Sequence, residues 1–231
     1  MDAFLGDVGQ GRFEKFVAAA RGPCVCQGRW GQQVMGNFYN NRIDVPDLCH
    51  AVMEALRVGR SESQKVVTLV GRYGGEGKSL FFQPLVSVYG VEHVQLRPSG
   101  GQFPLMGLEG KRVALLDEWR FEESSLPIPL QLLWFEGKPV PINRPQNQAG
   151  YSGHALYRGS APIFITAPED GLDGLASMGA NEPRGEATML LRRLRVFTFT
   201  RRMPPPQPPR IVPCPRCFAL LVASQAAQCH V

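Results

Sequence analysis

The sequence predicts an α/β fold, a central and mostly parallel sheet with helices on both faces, preceded by a small helical unit. Three stretches predict it. Residues 66–70 (Val-Val-Thr-Leu-Val) form a β-branched apolar run that stops at a glycine-rich turn. Residues 113–116 (Val-Ala-Leu-Leu) run without a break into two acids, and residues 161–167 (Ala-Pro-Ile-Phe-Ile-Thr-Ala) repeat the pattern. Strands with no polar face belong in a sheet covered on both sides, and such sheets are parallel with helical crossovers. With 231 residues, 44% of them hydrophobic and 19% charged, the chain can bury one good-sized core.

The first sixty residues carry no catalytic pattern. Residues 13–21 and 45–58 have apolar residues at helical spacing. Asp44 is placed to cap the second helix, with Pro46 in its first turn. Between them, residues 22–41 are rich in Gly, Asn and Gln and read as loop or short strands. We therefore divide the chain into a helical unit at 1–60, an α/β domain at 61–203, and a proline-rich linker with a cysteine-containing tail at 204–231.

The chemistry begins where the first strand ends. Residues 71–79 read Gly-Arg-Tyr-Gly-Gly-Glu-Gly-Lys-Ser. A buried strand, a loop of backbone N–H groups and a helix N-terminus are the parts of a phosphate-binding loop. Gly71, Gly74, Gly75 and Gly77 would let the backbone approach an anion. Lys78 would reach the outer phosphates of ATP, and the Ser79 hydroxyl would hold Mg²⁺. Five residues separate Gly71 from Gly77 where the usual pattern has four, and Arg72 stands at the strict first-glycine position. The strand at 113–116 delivers Asp117 and Glu118 at its C-terminal end. Asp117 could support Mg²⁺ through water, and Glu118 could orient and deprotonate an attacking water.

The order and content of residues 65–200 resemble a superfamily 3 helicase, the AAA+-related P-loop ATPase of small DNA virus replication proteins and related RNA virus helicases. Residues 71–79 resemble its motif A, 115–118 motif B, 136–144 the hairpin region, 162–168 motif C, and 193–199 the arginine-finger strand. The resemblance implies ATP and Mg²⁺ as cofactors, single-stranded DNA or RNA as track, and a homo-oligomeric, hexameric ring. It assigns catalysis to Lys78 and Glu118, with Arg193, or in its place Arg192 or Arg195, reaching a neighbouring subunit's nucleotide. It also implies that Lys138 and Arg144, on a projecting hairpin, contact nucleic acid. The N-terminal unit would assist oligomerisation or only pack on the core. One departure stands out. Motif C should end in an asparagine that senses the γ-phosphate, and Pro168 occupies that position. Thr166 or Glu169 would then have to compensate, which leaves a nucleotide-binding scaffold without turnover as an alternative. Another P-loop NTPase, such as a kinase, is a further one.

The rest of the chain is less specific. Residues 126–135 predict a short helix, and Tyr151 or Tyr157 could stack on bases near the hairpin. A net charge of +5 suits a polyanionic partner. No run of 18 apolar residues exists, so no membrane partner is expected. The first residues lack a basic segment followed by an apolar stretch, so an intracellular location, nucleus or cytoplasm, is expected. The histidines stand at 50, 93, 154 and 230, so no His-x-His metal pair for strand nicking is present. Cys214 and Cys217 have zinc-ligand spacing, and Cys229 with His230 would complete a possible zinc site. Against that, the four residues could be incidental to an unstructured tail. Cys24 and Cys26 carry the weaker signal.

Overall fold

A computed structural model describes residues 2–96, 105–121, 126–143, 154–181, 185–204 and 211–230. Five parallel strands form the central sheet in the order β2-β3-β6-β1-β7. They are β1 (Val66–Gly71), β2 (Val94–Gln95), β3 (Val113–Leu116), β6 (Ile163–Pro168) and β7 (Leu194–Phe199). All three strands predicted from apolar runs are present, and alternation explains their lack of a polar face. Val67, Leu69, Leu115 and Phe164 point into one core, and Val66, Val70, Leu116 and Ile165 into a second on the other face. Both faces are covered, so both side-chain sets must be apolar.

The first face carries α1 (Asp2–Arg21), α2 (Arg29–Asn40), α3 (Val45–Val58), α4 (Lys78–Phe82), α5 (Pro84–Tyr89) and α9 (Pro215–Ala226). Asp44 caps α3 as expected, its carboxylate accepting from the Asp47 N–H at 3.0 Å. The expectation of loop or strands at 22–41 fails over most of its length. Trp30, Val34, Asn37 and Phe38 fall at helical spacing and are buried, so tertiary burial overrides the poor propensity of the Gly and Asn between them. The tail is likewise ordered. Phe218, Ala219 and Val222 of α9 join the same core as Phe16 of α1 and Trp30 of α2. Helical unit, tail and sheet therefore share one continuous core on this face.

The second face carries α6 (Ile128–Phe135), α7 (Glu169–Asn181) and α8 (Glu186–Arg192). The helix expected at 126–135 is α6. Beside it lies an antiparallel pair, β4 (Val140–Asn143) with β5 (His154–Tyr157), so the region expected to form a hairpin does hold paired strands. Buried Arg60 anchors it. Its guanidinium donates to the carbonyls of Trp134 at 3.0 Å, Lys138 at 2.9 Å and Gly159 at 2.6 Å, and lies over the Tyr157 ring.

Candidate functional site

The parallel sheet brings the C-terminal ends of β1, β3 and β6 to one edge, where open α/β sheets bind ligands. At this edge β1 ends at Gly71, the glycine loop follows, and α4 starts at Lys78. Gly74, Gly75 and Gly77 all have positive φ, a backbone region that favours glycine. Gly77 could not carry a side chain for a second reason, since a Cβ there would lie 2.9 Å from Asn37 Nδ2. The five-residue spacing is thus absorbed by left-handed glycines at 74 and 75.

Glu76, to which no role was assigned from sequence, sits within the loop. Its carboxylate is fully buried, accepts from Lys78 Nζ at 2.9 Å, and accepts from the Tyr73 N–H. Burial pushes the Glu76 carboxyl up, but the Lys78 and backbone hydrogen bonds outweigh it and hold the group below its ordinary value. One signal was available in the sequence: an acid among the glycines of an anion-binding loop is a charge conflict that needs a partner.

The acidic strand delivers its side chains as expected. Ser79 Oγ donates to Asp117 Oδ1 at 2.6 Å, joining α4 to the end of β3 across the intervening β6. Thr166 on β6 donates to the same oxygen at 2.6 Å, and its hydroxyl accepts from the Glu118 N–H at 2.9 Å. Thr166 thereby fixes Asp117 and the turn that bears Glu118. Glu118 itself has φ 51°, a strained conformation for a residue with a side chain. Ser79, Asp117 and Thr166 form one hydrogen-bonded chain along this edge, with Lys78 beside Ser79 at the start of α4 and Glu118 next to Asp117. A divalent cation could be held by Ser79 and Asp117, two oxygen ligands of the type Mg²⁺ prefers. Pro168 ends β6, and the following Glu169 pairs with Arg72 at 3.5 Å.

Arg193 lies elsewhere. Its carbonyl accepts from the Val66 N–H, so it stands level with the start of β1. Six residues of β1, about 20 Å at roughly 3.3 Å each, separate it from the glycine loop of its own chain. Its guanidinium donates to Glu136 at 2.6 Å and to the Glu62 carbonyl at 3.1 Å. Lys138 pairs with the same Glu136 at 2.7 Å and keeps its side chain half-exposed. Arg144 and Tyr151 lie outside the described residues. Tyr157 is buried beneath Arg60, so the expectation that it stacks on bases is not met.

The cysteines form a different set from the one expected. Cys214 and Cys217 converge with Cys24 and Cys26, all four sulfurs lying within 4.8 Å of one another. Cys229 is exposed and outside this group, and the side chain of His230 lies outside the described residues. Chain ends far apart in sequence meet here, and spacing along the chain could not reveal that.

No protein-family profile matches the chain, and no curated protein matches it. Among solved structures it is similar to the A form apo structure of the NrS-1 C-terminal region, with 14% identity and a TM-score of 0.46. The match covers 85% of this chain and 45% of that one, so the chain spans less than half of that relative's length. The parallel sheet with helices on both faces is the α/β fold that the sequence predicts, consistent with a P-loop NTPase-like fold. Among the described residues, no helix is long and apolar enough to cross a membrane.

Proposed function

We propose that the chain is a P-loop ATPase of the superfamily 3 helicase type, which couples ATP hydrolysis to movement along single-stranded nucleic acid as a ring of copies. The observation that carries the proposal is a left-handed glycine loop that opens onto Lys78 at the start of α4 and onto the Ser79–Asp117 hydrogen bond beside it. A donor set that already draws the Glu76 carboxylate to Lys78 and the Tyr73 N–H fits a phosphate oxygen in the same place.

ATP with Mg²⁺ would supply the electrophilic phosphorus and the diphosphate leaving group. Lys78 neutralises charge on the outer phosphates, and Ser79 with Asp117 holds the cation. Glu118, aimed by its strained turn, takes the proton of the attacking water. Thr166 acts as a positioning residue through Asp117. Arg193, a strand length from its own loop, serves only the site of a neighbouring copy. Lys138 and Arg144 follow a nucleic-acid backbone. Lys138, which shares Glu136 with Arg193, lies at the end of the sheet opposite the glycine loop, so a track there would not crowd the nucleotide.

A second reading has an observation of its own. Pro168 stands where the resembling family has a hydrogen-bonding asparagine, which favours a protein that binds nucleotide without turning it over. ATP binding and steady-state hydrolysis, each with and without single-stranded DNA, separate the two. Lys78→Ala should abolish binding, and Glu118→Gln should keep binding while losing turnover. Wild-type binding without turnover would establish the second reading, and no wild-type binding would end both.

A further inference from the structure

We propose that Cys24, Cys26, Cys214 and Cys217 form a structural zinc site that staples the loop after α1 to the N-terminus of α9. Tetrahedral zinc with four thiolates at about 2.3 Å requires sulfur–sulfur separations near ~3.8 Å. The separations here are 3.8 Å for Cys24–Cys26, 3.6 Å for Cys24–Cys217 and 3.4 Å for Cys26–Cys217. They are far beyond the roughly 2.05 Å of a disulfide, and all six cysteines of the chain are free thiols.

The surroundings are those of a built site. Cys26 and Cys214 are buried, and Cys24 and Cys217 are half-buried. The N–H groups of Gly28 and Cys26 donate to the Cys24 sulfur, and those of Cys217 and Val25 to the Cys214 sulfur. Such donors stabilise sulfur in the charged form that a metal needs. Gln27 and Gly28, both at positive φ, turn the chain between Cys26 and α2, and the Cys24 and Cys26 sulfurs meet that of Cys217 in α9. Arg29 donates to the Cys26 carbonyl at 3.3 Å and brings a cation to the rim of a tetrathiolate whose net charge with zinc is negative. With four protein ligands no open position remains, so the site is structural and holds no water for catalysis. A soft tetrathiolate selects zinc or iron over magnesium, which keeps this metal distinct from one at Ser79 and Asp117.

The site would do mechanical work. α2 starts three residues after Cys26, and at its far end Asn37 donates to the Glu76 carbonyl of the glycine loop at 2.7 Å. Zinc therefore anchors one end of the helix that braces the loop at the other.

The test uses the full chain purified in metal-free buffer. Elemental analysis should find one zinc per chain, retained in Cys229→Ser and lost in the double variant Cys26→Ser/Cys214→Ser. Because that variant removes two buried groups, cobalt exchange into the wild type provides a second readout that does not depend on its folding. Tetrahedral ligand-field bands with thiolate-to-cobalt charge transfer support the site. Zinc content unchanged in Lys78→Ala separates this proposal from the nucleotide reading. Wild-type protein without zinc and without cobalt bands would overturn it. So would iron in its place, or a non-reduced mass lower by the hydrogens of two disulfides.

Discussion

Glu76 is the residue whose placement changes the chemistry most. Its carboxylate holds Lys78 and the Tyr73 N–H, the same donors that a phosphate would use. On the proposed nucleotide reading the two anions compete. A charge-assisted hydrogen bond contributes about 1.5–3 kcal/mol, so Glu76→Gln should tighten ATP binding by about tenfold or more, as read by titration with a fluorescent nucleotide. Unchanged or weaker binding would mean that Glu76 shapes the loop instead of competing in it. The sign of the pH dependence follows from its lowered pKa. A carboxyl depressed in the folded state contributes stability above its unfolded value of about 4.3 and loses it as pH falls through the lower folded value. Glu76 thus stays ionised through neutral pH, and its competition with nucleotide should not titrate away there. The positions of Lys78 and Ser79 at the start of α4, and of Asp117 at the end of β3, were readable because each follows an apolar run that ends in a marked turn. The role of Glu76 was not, since it depends on how the glycines fold back on themselves.

At the scale of elements, the glycine loop is braced from outside. Asn37 of α2 donates to the Glu76 carbonyl, and after β7 the Met203 N–H donates to the Gly75 carbonyl at 3.0 Å. Asn41, one turn further along the same side of the chain, accepts from the N–H groups of Thr200 and Arg201 and so holds that strap in place. Asn37→Ala removes a buried hydrogen bond worth about 1 kcal/mol. It should raise KM for ATP several-fold and leave kcat nearly unchanged, because the phosphate-contacting groups remain. A fall in kcat with constant KM would instead place Asn37 in the chemical step. β1, β3, β6 and α6 were legible because their apolar runs are marked at their ends, whereas the two-residue β2 left no such run. α2 was not, because Gly31, Gly36 and Asn40 mask an apolar face that only Trp30, Val34 and Phe38 define. α9 was hidden for a related reason: Phe218, Ala219 and Val222 make sense only against α1 and α3, nearly the whole chain away.

For the whole molecule, the sheet sets two opposite edges to work. The glycine loop lies at one, and Arg193 lies with the hairpin at the other, about a strand length away, which is roughly 20 Å. A ring that places the Arg193 end of one copy's sheet against the glycine-loop end of the next would bring Arg193 to a foreign nucleotide. Within its own chain Arg193 also neutralises Glu136, an acid almost fully buried and held below its ordinary pKa against desolvation by Lys138 and Arg193. Simple truncation therefore confounds two roles. Arg193→Ala should cost both stability and activity, while Arg193→Lys should keep the Glu136 pair and recover the melting temperature. A lysine cannot reproduce the planar fork of an arginine on phosphate oxygens, so its activity should stay low. An arginine supplied in trans is worth about 10³–10⁵ in rate, which makes the decisive measurement a mixture. Arg193→Lys subunits keep an intact glycine loop, and Lys78→Ala subunits keep an intact Arg193. Combined, they should regain ATPase activity that neither has alone, and activity per subunit should rise steeply with protein concentration. Full activity in Arg193→Lys alone, or none regained on mixing while both variants assemble, would confine Arg193 to its pairing with Glu136.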